Sequence, residues 1–223
     1  MKDLRIAVDV FQAAQKMRVA MGNRISAVER GADDARLDWL TKYHERFQAV
    51  EDEAALDMED ALQFHVMTDW LVSIKGINSK LAGQLLGLLP EIEGFTTVSK
   101  LWRFAGMAVI EGEAERPRKG EKRHYSTRVK VTVCKIGDSF MRCDSPYRAV
   151  YDEKRAYYDA RRPTWSKLRR HYAARRVMVK VFLCHLWVEW RTRLGLPVRA
   201  PYSGEYLEHD ITYPVEQFVP QPA

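Results

Sequence analysis

The sequence predicts a mainly α fold, in which a helical hairpin or coiled coil is followed by a helical domain containing a helix-hairpin-helix motif. Apolar residues recur with a spacing close to 3.6 through residues 4–28 and again through residues 34–74. Gly and Pro separate these and later segments at intervals of helical length. Apolar residue types make up 46% of the chain, which suffices for a packed core and excludes wholesale disorder.

The N-terminal third predicts two long helices. The first ends near Gly31, and the second runs from about Asp34 to Ile74 because neither Gly nor Pro interrupts it. The acidic patch at residues 51–53 marks a possible turn between two shorter helices. A helix of this length cannot bury its apolar stripe, which begins at Trp39, against so small a body. Residues 34–74 therefore form either an antiparallel hairpin or a coiled-coil dimer.

Residues 71–86 have the form of a helix-hairpin-helix, in which a tight turn joins two helices. Gly76 supplies the positive φ that such a turn needs, and Asn78 follows where a second left-handed residue is expected. Amides at the start of the second helix can bind phosphate oxygens. The predicted phosphate contacts are Gly76, Ile77, Asn78, Ser79 and Lys80. An ordinary glycine-capped helix end is the simpler alternative.

Beyond Pro90 the sequence predicts three further helices, at about residues 98–105, 146–160 and 164–194. Residues 111–123 are polar and basic, and we expect a mobile loop that orders on nucleic acid. Residues 129–133 alternate like a strand, although their helical surroundings favour a helix equally.

Charge is distributed unevenly along the chain. Residues 101–195 carry 23 Lys and Arg against 10 Asp and Glu, a net +13 in a chain whose total is +6. Aromatic residues are interleaved with these cations, a combination typical of nucleic-acid binding. The sequence thus predicts an N-terminal helical segment (1–74), a basic helix-hairpin-helix domain (75–195) and a Pro-rich tail (196–223) that wraps the surface or is partly disordered.

Composition excludes several other classes of protein. A mean hydropathy of −0.39, with charges in every stretch of helical length, argues against a membrane span. Asp3 and Asp9 interrupt the first apolar stretch, so it does not resemble a secretory signal. Three cysteines without a CxxC pair argue against a disulfide framework or a structural zinc site. We expect a protein of the bacterial cytoplasm, the nucleoid or a phage particle, with no cofactor and no metal.

Four segments occur in the order found in one protein family: the hairpin 76–78, residues 100–107, the basic stretch 122–128 and the helix 169–193. Together they resemble the C-terminal domain of the bridge-RNA-guided insertion-sequence transposases, which carry an N-terminal DEDD domain and are related to the pilin-gene invertases. The resemblance implies a nucleophilic serine near residues 112–116, where this chain has no hydroxyl group. The family's strand-rich nuclease domain has no counterpart in residues 1–70. The resemblance therefore implies a DNA-binding protein of a phage or mobile element that lacks catalysis.

The predicted function is nucleic-acid binding, to DNA rather than RNA, by a homodimer or higher oligomer formed through residues 34–74. Beyond the hairpin, the predicted contacts are Lys119, Lys122, Arg123, Arg128, Lys130, Lys167, Arg169, Arg170, Arg175 and Arg176. Two alternatives stay open. One is a minimal recombinase or transposase subunit that uses Ser126, or Tyr125, beside Arg123 and Arg128 for phosphoryl transfer. The other is a phage structural or assembly protein.

Overall fold

The computed structural model describes residues 2–31, 36–110, 112–115, 120, 122–198 and 213–219. Most of these residues lie in helices, which confirms the predicted mainly α fold. The helices are α1 (Lys2–Gly31), α2 (Leu37–Leu62), α3 (Thr68–Ser73), α4 (Ser79–Leu88), α5 (Val98–Phe104), α6 (Thr127–Arg142), α7 (Arg148–Arg161) and α8 (Lys167–Arg193). Strand β1 (Val109–Ile110) pairs antiparallel with β2 (Glu113–Ala114).

Contacts divide the chain into two compact units. The smaller consists of the described residues up to His65 together with Leu86–Leu88, and we call it the hairpin unit. The larger holds Val66–Leu85 and the described residues from Leu89 onward, and we call it the basic unit. The boundary after His65 lies before the predicted boundary at residue 74.

Helices α1 and α2 pack side by side in opposite directions. Phe11, in the first half of α1, shares a buried cluster with Ala54 in the second half of α2. Gly22, further along α1, lies beside the His44 ring, earlier in α2. The structure therefore contains an antiparallel hairpin, but α1 and α2 form it, and the hairpin predicted within residues 34–74 is wrong.

The predicted turn at residues 51–53 is wrong, because α2 passes through this patch without interruption. Glu51 is buried, and it accepts hydrogen bonds from Arg18 Nε at 2.6 Å and from Gln15 Nε2 at 2.9 Å. A carboxylate paired in this way can face the partner helix instead of solvent. The predicted continuous helix to Ile74 is also wrong, since α2 ends at Leu62 and residues 63–67 separate it from α3.

Helix α8 is the centre of the basic unit and packs against α5, α6 and α7. Around it, the rings of Phe140, Tyr147 and Phe182 lie with centroids 4.8 to 5.7 Å apart, in stacked and edge-on pairs. A Cβ on Gly137 would lie only 2.8 Å from Val179 Cγ2, so α6 approaches α8 more closely than a larger side chain permits. Residues 129–133 therefore belong to a packed helix rather than a strand.

Part of the predicted tail completes this core. Phe218 is buried, with its ring centroid 4.7 Å from that of Tyr147. The Tyr213 carbonyl accepts a hydrogen bond from His185 Nε2 at 2.8 Å. Residues 213–219 thus pack on the basic unit, while residues 199–212 and 220–223 lie outside the described residues.

The turn between α3 and α4 agrees with the prediction at Gly76 and differs at Asn78. Gly76 has φ +103°, and a Cβ there would lie 3.2 Å from the Phe140 ring. Asn78, by contrast, has extended backbone (φ −98°, ψ 172°), so the predicted left-handed conformation is wrong. Its side chain accepts a hydrogen bond from the Leu81 amide at 2.9 Å, which makes it the N-cap of α4. Extended backbone is typical of a residue that caps a helix through its side chain.

Candidate nucleic-acid interface

An open cavity of about 590 Å³ lies in the basic unit, between α6, α8 and the β-hairpin. We call it the basic cavity. Its walls are formed by side chains from three parts of the sequence. These side chains include Glu113 and Glu115; Lys130 and Cys134; and Trp165, Leu168, Arg169, Tyr172, Arg175 and Arg176. The predicted loop at residues 111–123 is therefore wrong at residues 113–114, which form β2 and supply a wall.

A serine cap fixes where α8, the longest helix lining the basic cavity, begins. The Ser166 hydroxyl accepts a hydrogen bond from the Arg169 amide at 3.1 Å, so α8 begins at Lys167. The predicted start at residue 164 was too early, because Ser166 needs extended backbone to act as the cap. With this register, Leu168, Tyr172 and Arg176 follow one another at four-residue spacing and share one face.

Each aromatic ring of the cavity wall has an arginine beside it. Trp165 stacks on Tyr158, with ring centroids 5.6 Å apart and planes inclined by 26°. The Arg169 guanidinium lies 4.3 Å from the Trp165 ring centroid, and that of Arg175 lies 5.2 Å from the Tyr172 centroid. Such cation–π contacts hold the planar groups in fixed orientations.

Positive charge exceeds negative charge on the walls. The four cations are Lys130, Arg169, Arg175 and Arg176, against the carboxylates of Glu113 and Glu115. Arg169 Nη2 lies 4.0 Å from Glu113 Oε1, at the limit of an ion pair. A concave surface with this excess of cations attracts a polyanion more strongly than a flat surface of equal charge.

Lys130 and Arg175 connect the walls of the cavity in addition to contributing positive charge. Lys130 Nζ donates a hydrogen bond to the Glu115 carbonyl oxygen at 3.2 Å, and it lies 4.2 Å from the Tyr125 ring centroid. Arg175 forms an ion pair with Asp138 of α6. Both cations therefore link α6 to another wall of the cavity.

The structure brings four of the predicted contacts, Lys130, Arg169, Arg175 and Arg176, into one site. Lys122, Arg123, Arg128 and Lys167 are exposed near the starts of α6 and α8 but do not line the cavity. Arg170 points toward α7, where its Nη1 lies 3.1 Å from Asp159 Oδ1. Lys119 lies outside the described residues.

The predicted phosphate-binding hairpin, Gly76 to Lys80, is not part of the basic cavity. It contacts the C-terminal end of α6, where Ser139 Oγ donates a hydrogen bond to the Gly76 carbonyl at 2.7 Å. Lys130 lies near the other end of α6, about 14 Å away by helix rise. Ile77 is buried, whereas Asn78 and Lys80 are exposed.

Ser126 is the N-cap of α6. Its hydroxyl accepts a hydrogen bond from the Val129 amide at 3.3 Å, and its own amide donates to the Phe104 carbonyl at 2.9 Å. Neighbouring Arg123 donates to the Thr127 hydroxyl at 3.2 Å. These contacts give Ser126 a structural role at the start of the helix.

The predicted contacts did not include Trp165, Tyr172 and Glu115, which line the basic cavity, and Lys180 of α8 lies outside it. Burial, followed by the charge of Arg176, lowers the pKa of Lys180, whose Nζ lies 4.0 Å from the Trp102 ring centroid. An available signal was the alternation of aromatic and arginine residues at helical spacing between residues 165 and 176.

Among the described residues, no three His, Cys, Asp or Glu side chains are grouped so as to hold a metal ion. None of the described helices combines the length and the apolarity needed to cross a membrane. Comparison with protein-family models, with curated proteins and with solved structures finds no match to this chain.

Proposed function

We propose that this protein binds nucleic acid, DNA in preference to RNA, through the basic cavity and the cationic surface around it, without cleaving or joining strands. One observation carries the proposal. Lys130 of α6 and three arginines of α8 converge on a concave site that also presents the Tyr172 ring and the Arg169 guanidinium plane. Cations neutralise phosphates with release of counterions, and aromatic or guanidinium planes stack on bases.

The surroundings of the cavity extend the footprint. Lys122, Arg123 and Arg128 are exposed around the start of α6, and Lys167 is exposed at the start of α8. The N-terminal end of a helix also carries partial positive charge, so phosphates passing either end are favoured. The resemblance to the transposase C-terminal domain supports the same class of ligand and an origin in a phage or mobile element.

The bonding of Ser126 argues against the alternative of a recombinase. A serine nucleophile needs a neighbouring base or cations to activate its hydroxyl. The Ser126 hydroxyl instead accepts the amide hydrogen bond that caps α6, and Arg123 is bonded to Thr127. No observation on the described residues favours catalysis or the role of a phage structural protein over binding.

Self-association through α2 is the second part of the proposal. Trp39, Tyr43 and Phe47 follow one another along one face of α2, with successive ring centroids 6.3 and 6.5 Å apart. The hairpin leaves this face largely uncovered, and Trp39 is 62% exposed. Exposed aromatic groups in a row are typical of a surface that contacts another protein. We propose that they contact a second copy of this chain.

Salt-dependent binding to a DNA duplex tests the main proposal. We expect the wild-type affinity to fall steeply as salt rises, and the slope of log K against log salt to become shallower by about 1 for each phosphate contact removed. Arg169→Ala and Arg176→Ala should each have this effect. Arg142→Ala, an exposed arginine of the same segment outside the cavity wall, is the matched control.

Three results would count against the proposal: an affinity independent of salt, an equal loss in Arg142→Ala, or tighter binding to an RNA duplex of the same sequence. The last would reject only the preference for DNA.

A further inference from the structure

We propose that the basic cavity holds a single unpaired nucleobase, and that the protein therefore prefers DNA with a bulged or otherwise unstacked nucleotide to fully paired duplex. This inference rests on the proposed function and adds the form of ligand that the site takes. The cavity volume of about 590 Å³ lies within the range of about 300–1,000 Å³ usual for sites that enclose small planar ligands.

Two planar groups on the cavity wall are exposed enough to stack on a base. Tyr172 is 46% exposed, and the side chain of Arg169 is 48% exposed. The Trp165 ring is engaged by Tyr158 and by Arg169, so it fixes the Arg169 plane rather than meeting the ligand itself. Aromatic and guanidinium planes stack only on bases that have left the helical stack.

Glu115 supplies a hydrogen-bond acceptor that the described residues leave unused. Its Oε2 atom is buried and accepts no hydrogen bond from any of them. A buried carboxylate oxygen is unfavourable without a donor, and an ionised carboxylate can only accept. Glu115 lines the cavity, so a rotation of its carboxylate on binding would bring this oxygen to an N–H group of the base, as when a carboxylate accepts from the amino group of cytosine.

The same acceptor discriminates between bases. Cytosine, adenine and guanine each carry an exocyclic amino group. The only ring N–H of thymine lies between two carbonyl oxygens, and these repel a carboxylate. We therefore expect an unpaired cytosine to bind more tightly than an unpaired thymine.

The cations of the wall suit the phosphates on either side of such a base. Arg176 and Lys130 line the same cavity as Tyr172 and Glu115. A duplex presents its bases stacked and edge-on, so it can meet these cations through its backbone but cannot place a ring against Tyr172. Charge thus serves binding to any DNA, whereas the cavity separates unpaired from paired nucleotides.

The experiment compares four DNA duplexes of one sequence: fully paired, with one extra cytosine, with one extra thymine, and with one extra abasic nucleotide. We expect wild type to bind the cytosine bulge about tenfold more tightly than the paired and abasic duplexes, the value of one good stacking contact. The thymine bulge should fall between these limits.

Amino-acid substitutions test which residues cause the preference for the cytosine bulge. Tyr172→Ala should abolish the tenfold preference, while Tyr157→Ala, an exposed tyrosine of α7 outside the cavity, should keep it. Arg169→Lys retains charge but not the planar guanidinium, so it should lose the preference and keep the salt slope. Arg142→Lys is its control. Glu115→Gln should narrow the difference between cytosine and thymine, because an amide offers both a donor and an acceptor.

Equal wild-type affinity for all four duplexes, with salt-dependent binding intact, would overturn the inference and leave the proposed function standing. A preference for bulges that persists in both Tyr172→Ala and Arg169→Lys would also overturn it, since the base would then bind elsewhere. If wild type binds none of the four duplexes, the proposed function itself is rejected. Thermal unfolding of each variant identifies any that fail to fold, and Arg169→Lys, with its exposed side chain, decides the case if Tyr172→Ala is among them.

Discussion

The hairpin unit and the basic unit both place cations on aromatic rings, but they present them in different shapes. In the hairpin unit, Lys42 and Arg46 lie 5.4 and 5.7 Å from the rings of Trp39 and Tyr43, along one exposed helix face. In the basic unit, Arg169 and Arg175 contact rings that line a cavity enclosed by three elements. A ridge can meet another surface, whereas a cavity can surround a small group. Shape, more than residue type, therefore separates the partners we propose for the two units.

The two units also differ in how much they bury. In α2 the buried residues are confined to the half from Glu51 to Leu62, and the aromatic stripe lies in the other half, on a face that α1 does not bury. In the basic unit the largest buried side chains, Trp187 and Trp190, belong to α8 itself. Aromatic area stabilises the fold of the basic unit, and in the hairpin unit it is left for association.

The largest expected effect separates a buried tryptophan from an exposed one. Trp187 is fully buried and donates a hydrogen bond to the Phe95 carbonyl at 2.7 Å. Trp187→Ala should lower the free energy of unfolding by about 3–5 kcal/mol, the usual cost of a large cavity. Trp39→Ala should change it by less than about 0.5 kcal/mol at sub-micromolar protein, where association is negligible. Denaturant unfolding followed by circular dichroism measures both, and equal effects would contradict the comparison.

Acid should weaken two buried side-chain contacts at different pH: that of His185 in the basic unit and that of Glu51 between α1 and α2. Burial lowers the pKa of His185 from its ordinary 6.5. The contribution of the neutral, buried His185 to the free energy of unfolding is therefore complete above pH 6.5 and is lost as the pH falls below that value. Burial alone would raise the pKa of Glu51, but hydrogen bonds from Arg18 and Gln15 outweigh it and lower the pKa from 4.5. The contribution of Glu51 is therefore complete above pH 4.5 and is lost only below that value.

Hydrogen exchange of peptides from α7–α8 and from α1–α2, measured while the pH is lowered, distinguishes the two steps. We expect α7–α8 to lose protection first. His185→Gln should reduce the step below pH 6.5, and His124→Gln, at an exposed position, should leave it unchanged. Earlier loss of protection in α1–α2 would show that the hairpin is the more acid-sensitive unit.

A smaller effect is expected from removing a helix cap. Ser126→Ala should lower the free energy of unfolding by about 1 kcal/mol, and Ser166→Ala, which removes the matching cap of α8, should do the same. Neither wild type nor either variant should cleave a supercoiled plasmid or form a covalent adduct with Mg²⁺ present. A covalent adduct that disappears in Ser126→Ala but persists in Ser166→Ala would establish catalysis.

The smallest effect on folding, with a clear effect on association, is expected from the aromatic stripe. Replacing Trp39, Tyr43 and Phe47 by glutamine should leave the hairpin folded and convert an oligomer into a monomer in sedimentation at micromolar concentration. The aromatic stripe tests association without disturbing folding. A substitution of Leu62, which is 1% exposed, would instead disturb the core of the hairpin unit. A wild type that sediments as a monomer at every concentration would remove the proposed second copy.

The helices could be predicted from the sequence, but the shape of the site could not. Periodicity located α1, α5 and α7 closely because each has a regular apolar face and ends near a Gly or Pro. Glu51 was misread because an acidic residue in sequence does not reveal the arginine that α1 places beside it. The basic cavity was missed because its walls come from residues 113–115, 130–134 and 165–176, whose proximity depends on how α6 packs on α8.

Phe218 and Tyr213 close the core around Tyr147 and His185, although they follow α8 in the chain. A ribosome adds about 5–20 residues per second and releases domains from the N-terminal side first. Helices α1 and α2 can therefore pair before Phe218, which contacts the ring of Tyr147 in the folded chain, has been synthesised. Until residues 213–219 have been synthesised, Tyr147 lacks its contact with Phe218 and His185 lacks its hydrogen bond to the Tyr213 carbonyl.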